Sequence, residues 1–228
     1  MPRRPAAPIT TILDRLEVSH PDATLALDFR SPLQLLVALI LAAQCTDAKV
    51  NEVTPALFRR YRGAADFAAA DPEELEGLVK QTGFFRQKAR AVRGCCQALV
   101  DRFGGQVPDD FDALLGLPGV GRKTANILLG NAFGIPAIGV DTHVGRLAQR
   151  LGLTRHTDPD KIEADLAALV PCARQIRFCH LLQYHGRRVC LARKPACPTC
   201  TLVDLCPYSD KSEAKKPPTK PKGSRWVG

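Results

Sequence analysis

The chain has 228 residues, enough for one large or two modest domains, and a formal net charge of +9. The excess of base points to a polyanionic partner without separating DNA from RNA or an anionic membrane surface, and aromatics, at 6%, are too few for a protein built on base-stacking platforms. No run of about 18 apolar residues exists to span a bilayer, and no signal-type apolar core follows the basic start Met1-Pro2-Arg3-Arg4-Pro5, so the nine cysteines are expected in a reducing compartment, as metal ligands or buried side chains and not as disulfides.

Ile9, Ile12, Leu13 and Leu16 repeat at helical spacing and predict a short amphipathic first helix, broken by His20-Pro21-Asp22. Ser31-Pro32 is an N-cap followed by a proline at the first helical position. The helix it opens, over 33–43, is apolar on nearly every side and belongs inside a bundle. It ends in Gln44-Cys45-Thr46-Asp47. Thr46 caps the next helix, 47–61, which leaves Gln44 at a helix–helix corner, where a cap for loose carbonyls is its plainest role. Asp71-Pro72 opens another helix through Val79.

Thr82-Gly83-Phe84-Phe85-Arg86-Gln87-Lys88 follows. The two phenylalanines are either core anchors or an apolar wedge that slides between base steps. A helix over 88–103 buries Ala89, Val92, Cys96, Leu99 and Phe103, and Gly104-Gly105 ends it. Cys95 and Cys96 read as small core residues.

The densest signal is Leu117-Pro118-Gly119-Val120-Gly121-Arg122-Lys123-Thr124-Ala125-Asn126. Gly119 and Gly121 are able to take positive φ and admit a close backbone. The turn points N–H groups outward at a helix start, which is a seat for phosphate. Lys123 stands in the first turn of that helix, where the positive helix end disfavours an ammonium; a free amine attacks electrophilic carbon and an ammonium does not. Asp141, in Val140-Asp141-Thr142-His143, precedes the apolar-periodic run Val144, Leu147, Ala148 and Leu151, which makes it an N-cap. His143 reads as structural. Asp158-Pro159 starts a helix ending at Val170-Pro171, and a further helix over 172–185 stops at Gly186. No pattern reads as strand, so the chain is all-α.

Cys190, Cys197, Cys200 and Cys206 fall within 17 residues with spacing C-x6-C-x2-C-x5-C. Four thiolates this close hold either one tetrahedral zinc or one iron–sulfur cube. Zinc sites usually pair two CxxC knuckles, and only Cys197–Cys200 has that spacing. From residue 209 onward lysines and prolines dominate, which predicts a disordered basic tail, 209–228.

The hairpin, the Ala43-Gln44-Cys45-Thr46-Asp47 segment, the Val-Asp-Thr-His segment and the cysteine spacing together resemble the endonuclease III family of helix–hairpin–helix DNA glycosylases, over roughly residues 9–207. The resemblance implies two all-α domains: a six-helix domain carrying the hairpin, 25–135, and an iron–sulfur domain made of 1–24 and 136–208. It implies a 4Fe–4S cluster on the four cysteines that fixes a loop presenting Arg193 and Lys194 to phosphates. Gln44 would fill the space left by an extruded base, and Phe84 would take the wedge position, where the family often has an aliphatic residue. Lys123 would be the nucleophile and Asp141 its catalytic partner, with Gly119 and Gly121 gripping the strand. The implied function is excision of oxidised pyrimidines with abasic-site (AP) lyase activity through a Schiff base, by a cytoplasmic, nucleoid-associated monomer acting on duplex DNA. Two alternatives stand beside it. An adenine-type glycosylase of the same fold lacks the lysine and carries a Glu in the early buried helix; here Lys123 is present and 33–43 holds no carboxylate. A non-enzymatic DNA-binding module would also use the hairpin and the charge.

Overall fold

The computed structural model describes residues 7–211. Most of the expected basic tail, from residue 212 on, lies outside the described residues. Among the described residues eleven α-helices occur: α1 (Ile9–Ser19), α2 (Pro32–Leu41), α3 (Asp47–Arg60), α4 (Ala64–Ala68), α5 (Pro72–Val79), α6 (Phe85–Phe103), α7 (Phe111–Leu115), α8 (Arg122–Phe133), α9 (Thr142–Arg150), α10 (Pro159–Leu169) and α11 (Gln175–Arg188). No strand is present among the described residues, and no helix there is long and apolar enough to cross a membrane.

Helix starts follow local chemistry. The side chains of Ser31, Thr46, Asp71, Asp110, Asp141 and Asp158 each accept a hydrogen bond from the backbone N–H three residues on, which satisfies a donor the helix leaves unpaired. Pro32, Pro72 and Pro159 follow three of these caps, where a missing N–H costs nothing.

Burial divides the helices between two apolar clusters. The first runs from Leu27 to Leu129 and is built on α2, whose Leu35, Leu36, Val37, Ala38 and Leu41 are all 0% exposed. Seven helices, α2 to α8, surround it; two of them, α4 and α7, are only five residues long. The second cluster joins Ile12, Leu13 and Leu16 of α1 to Val144 and Leu147 of α9, Ile162 and Leu166 of α10, Phe178 and Leu182 of α11, and Leu202. Polar ties cross the seam between the clusters. The Asn126 amide donates to the Ile138 carbonyl at 3.1 Å, the His180 ring Nε2 meets the Asn131 Oδ1 at 2.8 Å, and Arg187 pairs with Asp47 at 2.7 Å.

Helix ends differ from the sequence expectation by more than one residue in three places, the first being α6, which starts at Phe85 and not at 88. α2 stops at Leu41, two residues short of 43. The helix expected to stop at Gly186 begins as a 3-10 turn over Cys172–Arg174 and continues as α11 to Arg188. Gly186 is buried where α11 crosses α9: a Cβ there would lie 2.8 Å from the His143 Nδ1 and 3.0 Å from the Arg146 guanidinium. The glycine allows close helix approach and does not terminate anything. Gly186→Ala is expected to destabilise the protein by about 1–2 kcal/mol, because overpacking outweighs the gain in helix propensity; a urea melt reads this as a lower midpoint.

Candidate active site and cysteine loop

The hairpin is pinned by two apolar residues and opened by two glycines. Leu117 and Val120 are 3% and 8% exposed, and the Val120 N–H bonds the Leu117 carbonyl at 3.1 Å. Gly119 has φ of 79°, and a Cβ there would press to 3.2 Å on Ala91 of α6. Gly121 departs from the expectation of positive φ. It is extended, φ −99°, and a Cβ there would meet nothing within 4 Å. It is the N-cap of α8, and no side chain caps this helix start, which leaves the first N–H groups of α8 without a side-chain acceptor, the arrangement that suits an anion.

Lys123 is exposed in the first turn of α8. Asn126 and Ile127 lie three and four residues further, on the same helix face, and that face receives the segment leading to Asp141. Asn126, 6% exposed, holds the Ile138 carbonyl. Gly139 passes so close that a Cβ would sit 2.8 Å from the Ile127 side chain. Asp141 comes two residues after Gly139 and is half-buried at the start of α9. Its Oδ1 accepts the Val144 N–H at 2.7 Å, the N-cap role expected of it, and leaves Oδ2 uncommitted by the cap. Lys123 and Asp141 therefore stand along one seam, each at a helix start. Beside them, burial lowers the pKa of His143, Asp141 raises it and Arg146 lowers it. The Arg146 guanidinium lies 3.2 Å from its Nδ1.

Gln44 (φ 53°), Phe84 (φ 48°) and Lys194 (φ 53°) are the non-glycine residues with positive φ among those described. Such a conformation costs roughly 1–3 kcal/mol and persists where surrounding structure enforces it. Phe84 is 63% exposed, which excludes a core-anchor role; Phe85 is the one that packs on the first cluster. What holds the Phe84 loop lies beyond any local pattern. Lys88 is 5% exposed and its Nζ donates to the Thr82 carbonyl at 2.7 Å. Burial lowers its pKa from the usual lysine value, with Cys45 nearby acting in the opposite direction. A lysine aimed inward was invisible in a string of surface-type basic residues.

Cys190, Cys197, Cys200 and Cys206 line one cavity with Leu147, Leu151, Val189 and Leu202. All nine cysteines are free thiols. Burial pushes Cys200 and Cys206 up, and the other thiols of the set add to this. Donors so placed need a metal's positive charge to become thiolates. Among the described residues no three His, Cys, Asp or Glu side chains converge closely enough for a single ion; the thiols surround a space instead. Arg150 of α9 donates to the Cys190 sulfur at 3.2 Å and to the carbonyls of Leu191 and Ala192, and its own carbonyl accepts from Cys206. The His185 Nε2 lies 3.3 Å from the Cys200 sulfur. Arg193 and Lys194 are exposed on the same loop.

The sequence pattern of the HhH-GPD superfamily of base excision DNA repair proteins matches residues 37–172. An endonuclease III of Synechocystis sp. is 53% identical over 204 residues, 89% of this chain and 93% of that protein. The endonuclease III of Bacillus subtilis is 42% identical over the same shares. Among solved structures, a trapped endonuclease III–DNA covalent intermediate superposes with a TM-score of 0.83 at 45% identity, covering 87% of this chain and 93% of that one.

The seam itself titrates. Burial first, and Arg177 second, pull His180 down from 6.5 to about 4, so at neutral pH its uncharged ring serves Asn131. Between those values the unfolded chain binds the proton and the folded one does not, so stability falls as pH drops from 6.5 through 4. The loss attributable to His180 reaches up to roughly 3 kcal/mol. Urea midpoints across that window are expected to fall in the wild type and to fall less steeply in His180→Gln.

Proposed function

The chain belongs to the endonuclease III family of helix–hairpin–helix base excision repair proteins, and on that footing we propose how its own residues carry out the work of a bifunctional DNA glycosylase and AP lyase. The N–H groups at Gly119–Gly121 and the start of α8 grip a backbone phosphate, and the net positive charge draws the duplex in. Phe84 wedges between base steps, Gln44 fills the gap left by the extruded base, and Arg193 and Lys194 hold phosphates on the far side. The substrates are oxidised pyrimidines and abasic sites in double-stranded DNA.

Lys123, as the neutral amine, attacks C1′ of the extruded nucleotide. The glycosidic bond breaks, the base leaves with its electron pair and takes up a proton, and the sugar ring opens to give an imine on Nζ. Loss of a C2′ proton then expels the 3′ phosphate by β-elimination, and water releases the lysine. Asp141 supports cationic character at the sugar and moves protons through the carboxylate oxygen its cap leaves over. The observation that carries this reading is the tie of Asn126 to Ile138, with Gly139 against Ile127, which runs the Asp141 segment along the Lys123 face of α8. The absence of any carboxylate in α2 argues against an adenine-type glycosylase.

We take residues 25–135 as one domain and 1–24 with 136–208 as the other, in keeping with the two apolar clusters. The four cavity thiols suit a 4Fe–4S cluster better than zinc, because all four line one cavity and only Cys197–Cys200 has the spacing of a zinc knuckle. Cys190, Cys197, Cys200 and Cys206 would hold it, and its contribution when bound is to cross-link the loop that carries Arg193 and Lys194. Free thiols throughout fit a monomer working on chromosomal DNA in a reducing cytoplasm.

With thymine-glycol and abasic duplexes, borohydride is expected to cross-link the wild type and not Lys123→Gln; a cross-link in that variant removes Lys123 as nucleophile. Asp141→Asn is expected to bind abasic DNA normally while its turnover falls at least ~10²-fold, and unchanged turnover would leave Asp141 a cap alone. Purified protein should be brown, with iron and sulfide in equal amounts and no zinc, and Cys197→Ser should lose the colour; colourless protein with stoichiometric zinc would reverse the assignment.

A further inference from the structure

A second pair of charges crosses the seam immediately beside Lys123. Arg122 is the first residue of α8, and Glu163 lies on α10. Their helices bury side chains in different apolar clusters: Ala125 and Leu128 in the first, Ile162 and Leu166 in the second. The contact is forked, with Arg122 Nε donating to Glu163 Oε2 at 3.0 Å and Nη2 to Oε1 at 2.7 Å. Asp160 adds a third carboxylate oxygen at 3.7 Å, and the guanidinium lies 4.8 Å from the Phe111 ring centroid. The Glu163 side chain is 15% exposed.

This arrangement is odd for a residue that serves its own helix. The helix dipole disfavours a cation at the first position, and an isolated surface ion pair contributes little stability. An arginine beside a phosphate seat would also be expected to turn toward the phosphate. Here both ends of its fork are taken by Glu163, and a ring backs it. A two-point planar contact fixes orientation more than it adds energy. The orientation it fixes is that of the turn from which the next residue, Lys123, projects.

We propose that Arg122 and Glu163 form a brace across the seam that sets where the Lys123 amine stands relative to Asp141, so that both are positioning residues for the lyase and glycosylase steps and neither touches DNA. The brace rests on the reading of Lys123 as nucleophile. Misplacing a reacting group by about 1 Å costs as much as 10²-fold in rate, so a loosened brace shows in the chemical step and not in affinity.

The test is a double-mutant cycle on full-length protein: Arg122→Gln, Glu163→Gln and the two combined, with Lys123→Gln as reference. Single-turnover cleavage of abasic duplex at saturating enzyme gives the rate, and titration of the same duplex gives the dissociation constant. Each single variant is expected to slow cleavage about tenfold with the dissociation constant changed less than about threefold, and the double variant to be no slower than either single one, since both remove one contact. Wild-type rates in the single variants, or losses that multiply in the double, overturn the brace. So does a loss confined to DNA affinity in Arg122→Gln alone, which would make Arg122 a phosphate contact. If Lys123→Gln still cleaves and cross-links, the nucleophile reading itself fails; if it is inactive while the brace variants are normal, only the brace does.

Discussion

One amide hydrogen bond organises the site: the Asn126 side chain, buried in the middle of the molecule, holding the Ile138 carbonyl. A buried carbonyl at a seam between two apolar clusters must find a donor, and an unmet one costs about 1–3 kcal/mol. Asn126 supplies it from α8, and in doing so lays residues 138–140 along that helix. Gly139 makes the approach possible, because any side chain there would strike Ile127. Lys123 lies one turn back from the amide, and Asp141 a short step on from the carbonyl. The two groups proposed to do the chemistry come from helix starts more than a dozen residues apart in sequence, and the Asn126–Ile138 tie lays the segment before one of them against the helix that carries the other.

Among the described residues, left-handed backbone outside glycine occurs at three exposed positions. Gln44, Phe84 and Lys194 hold left-handed conformations, which β-branched or large side chains rarely adopt without support. The support at Phe84 is visible: the buried Lys88 amine grips the Thr82 carbonyl, and the Phe84 carbonyl accepts the Lys88 N–H. The phenyl ring is left 63% exposed on a loop clamped from beneath, which supports the wedge role proposed for it.

Caps and prolines made much of this legible in the sequence. Ser31-Pro32, Thr46, Asp71-Pro72, Asp141 and Asp158-Pro159 mark helix starts through chemistry local to a few residues, and the structure starts its helices there. The Lys123 and Asp141 segments were legible as motifs, since each combines a helix start with reactive residue types. What stayed hidden depends on partners distant in sequence. Gly186 looked like a stop because nothing local says that His143 and Arg146 lie against it. Gly121 looked like a second positive-φ glycine, whereas its lack of a side chain keeps the mouth of the hairpin open. α4, five residues held by Asp66 on the Arg62 and Gly63 amides, is too short to show a period. Lys88 and Arg122 are ordinary basic residues until Thr82 and Glu163 are seen beside them.

Helix α9 joins the two halves of the site. Asp141 caps its start, while Arg146 and Arg150, four residues apart on one face, reach the carbonyls of Gly186, Cys190, Leu191 and Ala192. An α-helix turns about 100° and advances about 1.5 Å with each residue. Inserting or deleting one position within these nine residues would swing the carboxylate around the axis relative to the cysteine loop, undoing one end or the other. The length of α9 is thereby set like the throw of a crank.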